Sequence, residues 1–479
     1  MDRANKRRFR TGATVASTVA LAVPLLVLGA TPATAQAAGG FVATSPLTTA
    51  RSHATATLLA GGEVLVAGGQ DASGNPLGSA ELYNPASGTW APTALMPVAV
   101  TDATATLLNN GEVLVAGGLT GSASALVPTT ATQLYNPANE QWSMTGALQL
   151  ATFDASAALS ASGEVLYAGG LPSTSPTASA AQTAELYDPT AGTWALSPSP
   201  LPTGVAGAQV AALAGGEVLV AGGETGPSGT TVSAAEIYQP SSSTWSPVGP
   251  MTAAVAYGAT ATLSNGEVLV AGGETTPVGA ITPTTQIFNP STSSWQSGGG
   301  LPTSSYGATA TLLSSGDVLY AGGLTGATGG PSAAAELYDP STGAWSATGS
   351  LLAPEGFGTA TALTNGEVLV AGGQAATGAT SEAELFEPTV TTGAPTITSP
   401  SAFDVVAGSP NSFTVTTTGT PAPTLTESGA LPPGMTFVYN GNGTATVSGT
   451  PPAGTTGTYP VTVTASNGVG TPAVQQLSL

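Results

Sequence analysis

Residues 63–69 read EVLVAGG, and this arrangement of a short apolar run closed by a Gly-Gly pair occurs seven times along the chain. The pairs begin at Gly68, Gly117, Gly169, Gly222, Gly272, Gly322 and Gly372. Successive pairs are 49 to 53 residues apart. Self-similarity at a fixed period is typical of architectures in which each repeat is one supersecondary unit. The period therefore predicts a protein built from seven similar units.

Each unit has the pattern of an antiparallel sheet. In the first unit, the alternating residues 54–59, the apolar run 63–67 and residues 80–83 predict three strands, with a tight turn between the first two. In six units a Trp follows the aromatic residue of the third strand after seven residues: Tyr83 and Trp90, Tyr135 and Trp142, Tyr187 and Trp194, Tyr238 and Trp245, Phe288 and Trp295, Tyr338 and Trp345. This fixed register favours packing between units over an exposed sugar-stacking surface.

The seventh unit lacks its last strand, because Phe386 has no Trp seven residues later. Phe41 stands 13 residues before Ala54, as Trp90 stands 13 residues before Ala103. The sequence therefore predicts that residues 41–45 form the outer strand of the seventh unit. Such a strand would close the ring and leave no open sheet edge.

The hairpin, the Gly-Gly pair, the Tyr-Asp/Asn-Pro turn and the Trp together resemble Kelch-repeat propellers, including the central domain of galactose oxidase. The resemblance covers about residues 41–390 and implies a seven-bladed β-propeller within residues 38–390. One feature departs from the Kelch consensus, since the Arg that precedes the first strand occurs only as Arg51. The other blades must orient that loop by other means.

The fifty-residue period stops after Pro388, and residues 391–395 are predicted to be a linker. Residues 394–479 alternate Thr and Val between turn clusters, as expected for a small sandwich. They resemble the Ig-like domains of bacterial surface proteins, which are related to cadherin-like sandwiches. Relatives suggest calcium, but with only Asp404 and Glu427 here we expect no metal and a spacer or adhesion role. The predicted fold class is all-β, a Kelch-type propeller followed by an Ig-like β-sandwich.

The first 37 residues have the pattern of a secretory signal peptide. Lys6, Arg7, Arg8 and Arg10 precede an apolar run from Val15 to Leu28, and small residues with two Ala-x-Ala sites follow. A membrane anchor is the alternative, but the apolar run is short for a span. We expect a secreted, extracellular protein without membrane insertion after cleavage, either free or associated with the cell surface.

The charge of the mature chain limits its partners. Cleavage removes Asp2 and every Lys and Arg except Arg51, so 25 acidic residues remain and the net charge becomes −24. This charge repels nucleic acid and anionic membranes. Five carboxylates repeat in the third strand and are expected to support solubility: Glu81, Glu185, Glu236, Glu336 and Glu384. No Cys is present, so no disulfide stabilises the fold. We expect a monomer.

The residue inventory argues against three chemistries. The copper site of galactose oxidase uses two His, two Tyr and a Cys cross-linked to one Tyr, whereas this chain has no Cys and a single His. Sialidase-like propellers bind carboxylates through several Arg residues, and only Arg51 is available. A Ser-His-Asp triad would require His53, which matches the Arg-x-His start of a Kelch unit and is better explained as a loop residue. No cofactor is expected.

Alignment on the Gly pairs brings one variable position of each unit into register just before the first strand. The residues there are His53, Asp102, Asp154, Gly207, Tyr257, Gly307 and Phe357, and Tyr306 precedes Gly307. In a propeller these positions surround one mouth of the central channel. The candidate ligand-binding residues are therefore His53, Asp102, Asp154, Tyr257, Tyr306 and Phe357, which suit a neutral, polar ligand such as a sugar.

These observations favour a secreted, non-catalytic recognition or adhesion protein that binds an extracellular glycan or protein. One alternative is a carbohydrate-active hydrolase or lyase using Asp102 and Asp154, although the sequence shows no dry pocket or pKa-shifting partner for them. The other alternative is a structural exoprotein without a defined ligand.

Overall fold

The apolar run before each Gly-Gly pair forms the second strand of a four-stranded antiparallel sheet, or blade. The computed structural model describes residues 38–276, 279–326, 329–389, 393–420, 422–441 and 443–479, and the predicted signal peptide 1–37 lies outside them. Within these ranges the chain forms strands and turns but no helix. No helix there is long and apolar enough to cross a membrane.

The strands are numbered in chain order, and each blade takes the number of the unit that supplies its first strand. Strand β1 (Ala38–Ala43) belongs to blade 7. Blade 1 contains β2 (Thr55–Leu58), β3 (Val64–Ala67), β4 (Ala80–Asn84) and β5 (Thr89–Pro92). Blade 2 contains β6 (Thr104–Leu107), β7 (Val113–Ala116), the hairpin β8 (Leu119–Ser122) and β9 (Ala125–Pro128), β10 (Thr132–Asn136) and β11 (Gln141–Met144). Blade 3 contains β12 (Ser156–Leu159), β13 (Val165–Ala168), β14 (Ala184–Asp188) and β15 (Thr193–Leu196).

The remaining blades repeat this order. Blade 4 contains β16 (Gln209–Ala212), β17 (Val218–Ala221), β18 (Ala235–Gln239) and β19 (Thr244–Pro247). Blade 5 contains β20 (Ala259–Thr262), β21 (Val268–Ala271), the hairpin β22 (Glu274–Thr276) and β23 (Ala280–Ile281), β24 (Thr284–Asn289) and β25 (Ser294–Gly300). Blade 6 contains β26 (Thr309–Leu312), β27 (Val318–Ala321), β28 (Ala335–Asp339) and β29 (Ala344–Ala347). Blade 7 contains β30 (Thr359–Ala362), β31 (Val368–Ala371), the hairpin β32 (Gln374–Ala375) and β33 (Gly378–Ala379), and β34 (Ala383–Thr389), with β1 on its outer edge.

The blades form a closed ring around a central channel. The first strand of each blade contacts the first strand of the next, and β30 contacts β2. Seven buried apolar clusters each span two neighbouring blades. Each Trp packs against the cluster between its own blade and the preceding one, and its ring centroid lies 5.0 to 5.2 Å from that of its cross-strand aromatic partner. The Trp residues therefore stabilise the contacts between blades.

Blade 7 is completed by the N-terminal strand, as the spacing of Phe41 predicts. Phe41 pairs with Phe386 of β34, and their ring centroids lie 5.1 Å apart, so Phe41 takes the place of the missing Trp. The strand spans 38–43 rather than 41–45. Thr44, which follows it, hydrogen-bonds through its hydroxyl to the Tyr83 hydroxyl of blade 1 at 2.8 Å.

The Gly-Gly pairs are required by close approach of the backbone. Gly68 has a φ of +65°, and a Cβ atom built there would lie 2.6 Å from the Val100 carbonyl oxygen of the next blade. All seven pairs adopt positive φ at both residues. A side chain there would meet both steric overlap and backbone strain.

The carboxylates of the third strand are buried rather than solubilising, which corrects the expectation from the sequence. Each is at most 5% exposed. Glu81 accepts the N–H groups of Thr48 and Thr49, at 2.7 and 3.1 Å, and so holds the loop that leads into blade 1. In blade 2 Gln133 holds the equivalent loop. Its Oε1 accepts the Val98 N–H at 2.8 Å, and its Nε2 donates to the Val98 carbonyl oxygen at 3.1 Å. This is how the blades without Arg fix that loop.

The C-terminal domain is a two-sheet sandwich. Its strands are β35 (Gly393–Ile397), β36 (Asn411–Thr420), β37 (Thr424–Gly429), β38 (Met435–Tyr439), β39 (Thr444–Gly449), β40 (Pro460–Ser466) and β41 (Ala473–Ser478). One sheet has the order β35-β36-β39-β38 and the other β37-β40-β41, with a shared apolar core. The predicted linker 391–395 is wrong for Gly393 to Pro395, which lie in β35, and its first two residues lie outside the described ranges.

Candidate functional site

The seven aligned positions before the first strands all adopt left-handed backbone conformations. Their φ angles lie between +52° and +61° at His53, Asp102, Asp154, Gly207, Tyr257, Gly307 and Phe357. Glycine adopts this region without steric cost, whereas other residues are strained there. Five of the seven positions nevertheless carry a full side chain. Strain retained at one equivalent position in several blades is a feature that clusters at functional sites.

A ring of backbone hydrogen bonds joins these positions across the blades. Six N–H groups donate to the carbonyl oxygen of the equivalent residue in the preceding blade: His53 to Phe357 (3.0 Å), Asp102 to His53 (3.4 Å), Gly207 to Asp154 (2.9 Å), Tyr257 to Gly207 (2.9 Å), Gly307 to Tyr257 (3.1 Å) and Phe357 to Gly307 (2.8 Å). The seven positions thus have similar φ angles, and six of them donate the same backbone hydrogen bond. They differ in their side chains.

The ring surrounds a cavity of about 510 Å³ at one mouth of the channel. All six residues predicted from the sequence line it: His53, Asp102, Asp154, Tyr257, Tyr306 and Phe357. The residue after each ring position is Ala or Gly, which leaves room above the ring. The structure therefore brings the candidate residues together, and their role in binding stays a prediction.

One side of the mouth is aromatic. His53 stacks on Phe357 with ring centroids 4.3 Å apart and an interplanar angle of 19°, and Tyr306 meets Phe357 edge to face at 5.6 Å. A Cβ atom at Gly307 would lie 2.8 Å from the Phe357 ring, so this ring lies over the glycine of the preceding blade. Tyr257 lies over Gly207 in the same way. Glycine at these two positions makes room for the large rings.

The other side of the mouth is acidic. The Tyr257 hydroxyl lies 3.1 Å from Asp154 Oδ2 and 3.4 Å from Glu224 Oε1, and Thr101 Oγ1 donates to Asp102 Oδ2 at 3.2 Å. Glu224, which contacts the Tyr257 hydroxyl, is a functional candidate that sequence reasoning missed. It directly follows the Gly-Gly pair of blade 4, and a Glu stands at this position only in blades 4 and 5, whereas the other blades have Gln or Leu. This difference between the repeats is the sequence signal that could have identified it.

Burial shifts the protonation of these groups away from their usual states. Burial raises the pKa of Asp154 to about 8, with repulsion from Asp102 adding to it, and raises the pKa of Asp102 to about 6. Burial and the charge of Glu224 raise the pKa of Glu274 to about 7. Burial also lowers the pKa of His53 to about 4. At neutral pH the Asp pair therefore shares one proton, and His53 is uncharged.

These shifts predict that the protein becomes less stable as pH rises from about 5 to about 8. Glu355, buried in blade 7, adds to the effect, because burial raises its pKa to about 8. Each of these carboxyl groups has a higher pKa in the folded protein than the value of about 4 that it has in the unfolded chain. The stabilisation from binding the proton is therefore complete below pH 4 or so, and it is lost as the pH rises through the folded-state pKa. Denaturant unfolding at several pH values measures this.

Asp154→Asn and Glu355→Gln provide the matched variants for that series. Each is expected to flatten part of the decline, because an amide does not titrate in this range. Asp404→Asn, at an exposed carboxylate of the C-terminal domain, is expected to leave the profile unchanged. A wild-type stability that stays level or rises across this interval would contradict the assignment.

The described part of the chain contains no group of three or more His, Cys, Asp and Glu side chains placed to hold a metal ion. His53 hydrogen-bonds through Nδ1 with Ser52 Oγ and Gln70 Nε2, at 3.2 and 3.3 Å. It also stacks on Phe357, so it belongs to the wall of the mouth.

Comparison with known proteins identifies two families within the chain. The family described as Kelch motif matches residues 51–97 and 209–252, and the family described as Putative Ig domain matches residues 394–479. No curated protein matches the sequence. The expected all-β fold, a Kelch propeller followed by an Ig-like domain, is confirmed.

Two solved structures are similar in fold. One is described as a novel fungal alcohol oxidase with catalytic diversity among the AA5 family, in complex with copper. It has 19% sequence identity and a TM-score of 0.61, and the match covers 92% of this chain and 99% of that chain. The other is the structure of YjhT, with 18% identity, a TM-score of 0.49, and coverage of 60% and 95%. The likeness at this identity is one of fold.

The residues of this chain do not fit the copper site of a galactose-oxidase-like enzyme. That site needs two imidazole ligands and a Cys cross-linked to a Tyr, and the chain has one His and no Cys.

Proposed function

We propose that this protein, a Kelch propeller followed by an Ig-like domain, is a secreted, non-enzymatic recognition protein that binds an extracellular glycan at the channel mouth. The Ig-like domain serves as a spacer or adhesion module. The observation that carries the proposal is the ring of side chains held at positive φ around the cavity. A scaffold without a ligand would be less strained with glycine at all seven positions.

The chemistry of the mouth suits a sugar. The aromatic group formed by His53, Tyr306 and Phe357 lines the cavity and offers apolar surface against which the apolar face of a pyranose ring packs. Across the mouth, Asp102, Asp154 and Tyr257 offer hydrogen-bond donors and acceptors to hydroxyl groups. A pocket with apolar walls and a few placed polar groups is the usual form of a small-ligand site.

The test is a glycan array and a polysaccharide pull-down with the purified protein, followed by calorimetry on the strongest ligand. Asp102→Ala, Asp154→Ala and Tyr257→Ala are each expected to weaken binding about tenfold or more. Asp404→Ala, which removes an exposed carboxylate of the C-terminal domain, serves as the control and is expected to bind as wild type. Unchanged affinity in all three mouth variants at unchanged stability would remove the mouth as the site.

The same experiment distinguishes the other functions. Absence of any glycan ligand would move weight to a protein partner or to a structural exoprotein. Turnover of a bound polysaccharide would favour a hydrolase or lyase, for which the separated pKa values of Asp102 and Asp154 are the supporting observation. In that case Asp102→Asn or Asp154→Asn would abolish product formation while the protein still binds substrate.

A further inference from the structure

The loops that follow the Gly pairs surround the channel mouth. In every blade the residue after the Gly pair forms a β-bridge to the residue before the ring position, so each loop leaves its blade beside the ring. The second strand of the blade runs toward the mouth, and the loop continues past it. In blade 2 the loop forms the hairpin β8–β9, whose four-residue strands extend about 10 Å. The mouth cavity therefore lies at the base of a rim of loops.

On one side of the mouth, the loops of blades 7, 1 and 2 form a wall. The Ala123 N–H of blade 2 donates to Asn75 Oδ1 of blade 1 at 3.0 Å. Between blades 7 and 1, a Cβ atom built at Gly378 would lie 3.1 Å from the Ala72 Cβ atom. These contacts close the two junctions between loops on this side.

On the other side of the mouth, the loops of blades 3, 4, 5 and 6 form a longer wall. Each loop in it contacts the next. The Ala180 N–H donates to the Thr225 carbonyl oxygen at 3.0 Å, Thr231 Oγ1 donates to the Thr275 carbonyl oxygen at 2.7 Å, and a Cβ atom built at Gly326 would lie 3.4 Å from the Gly279 carbonyl oxygen. Three further junctions are closed in this way.

The two remaining junctions lie between the walls. Among the residues that the structure describes, no hydrogen bond joins the loop of blade 2 to that of blade 3, or the loop of blade 6 to that of blade 7. Three blades separate these open junctions on one side of the ring and four on the other, so the junctions are nearly opposite one another. A groove therefore runs across the mouth between the two walls.

The two ends of this groove differ in chemistry. The open junction of blades 2 and 3 lies between Asp102 and Asp154, and that of blades 6 and 7 lies between Tyr306 and Phe357. All four residues line the mouth cavity. A ligand in the groove meets carboxyl groups at one end and aromatic rings at the other. Only an extended ligand reaches both.

We infer that the mouth binds the interior of a linear, neutral polysaccharide chain, which lies across it from one open junction to the other. This inference rests on the proposed function and names the ligand class of the same site. A pit closed on all sides would admit only a chain end, whereas a groove open at both ends lets the chain continue in both directions. Acidic polysaccharides are repelled, since Arg51 is the only Lys or Arg among the described residues and is buried against Glu81.

Calorimetry with the full protein compares the hexamer and the dimer of four neutral linkage types: maltohexaose and maltose, cellohexaose and cellobiose, laminarihexaose and laminaribiose, mannohexaose and mannobiose. At least one hexamer is expected to bind about tenfold tighter or more than its own dimer, because only the hexamer reaches both ends of the groove.

Variants at the two ends of the groove test whether one chain contacts both. Asp102→Gly and Phe357→Gly are each expected to remove most of the hexamer's advantage. Blades 4 and 6 already have glycine at the equivalent position with a similar φ, so both variants are expected to fold. Asp404→Ala, in the C-terminal domain, is the control and is expected to keep the advantage.

A second measurement counts the protein molecules bound to each chain. Long, unbranched polysaccharide of the linkage that binds is mixed with excess protein, and light scattering gives the mass of the complex. Recognition of the chain interior is expected to place several protein molecules on one chain. Recognition of a chain end would place one there, whatever the length of the chain.

The outcomes separate the inference from the proposed function. Dimers that bind as tightly as their hexamers, or one protein molecule per long chain, overturn the groove and leave glycan recognition at the mouth intact. A hexamer advantage that both glycine variants retain overturns it as well, because the chain then binds elsewhere. Absence of binding by all four hexamers overturns the inference, whereas a branched or short ligand on the glycan array would still support the proposed function.

Discussion

Deletion of residues 38–48 is expected to cause a large loss of stability. The deletion removes β1, and with it the hydrogen-bond ladder to β34 and the Phe41–Phe386 pair. It also removes Leu47, which is 3% exposed in the cluster between blades 7 and 1. Blade 7 would keep three strands and expose an unpaired edge. We expect a large fall in the thermal midpoint and association at high concentration.

Phe41→Ala tests the same closure without changing the backbone. Phe41 is 8% exposed, and truncating a buried Phe costs about 3–5 kcal/mol of unfolding free energy. Leu95→Ala, at a side chain 73% exposed, is the control and is expected to change stability by less than about 0.5 kcal/mol. Thermal stability unchanged by the deletion or by Phe41→Ala would show that the ring is not closed by the N-terminal strand.

Arg51→Val is expected to destabilise the protein by about 3–5 kcal/mol at neutral pH, because it leaves a buried carboxylate without its cation. The Arg51 guanidinium donates to Glu81 Oε1 at 2.8 Å and to the carbonyl oxygens of Gly68 and Ser79 at 2.8 and 3.0 Å. Although burial acts to raise it, the hydrogen bonds from Thr48 and the Arg51 guanidinium hold the pKa of Glu81 below its usual range. In blades 3, 4 and 6, which lack the Arg, burial raises the pKa of the equivalent Glu.

The repeat itself supplies the compensating substitution. Blade 2 has Val100 and Gln133 in place of Arg51 and Glu81, and blade 5 likewise has Val and Gln. The double variant Arg51→Val with Glu81→Gln is therefore expected to recover most of the loss. The deficit of the single variant should shrink at low pH, where Glu81 is protonated. Denaturant unfolding measures both effects, and a double variant as unstable as the single one would contradict the pairing.

The fold was largely predictable because the same local rules are repeated. Seven copies of the hairpin and Gly-Gly pattern averaged out the irregularities of any one unit, and the Phe41 register identified the closing strand. The errors lie where the repeat gives no information, as at the boundary with the C-terminal domain, where Gly393 already belongs to β35. The burial of the third-strand carboxylates was missed because charge alone does not show which face of a strand is covered.

The site was predictable in its members but not in its chemistry. Alignment on the Gly pairs found the six mouth residues, since equivalent positions of a propeller share one height along the axis. The raised pKa of Asp154 depends on burial and on Asp102 of another blade, and neither can be derived from spacing along the chain. Glu224 was missed because its contact with Tyr257 joins residues of two different blades, and no spacing along the chain predicts it.

A crystal structure of the protein with the strongest ligand of the glycan array would show whether glycans bind at the channel mouth. We expect sugar density there, with one ring against Phe357 and Tyr306 and polar groups within hydrogen-bond distance of Asp102 or Asp154. Ligand density on the outer strands of the blades or on the Ig-like domain, with the mouth left empty, would contradict it.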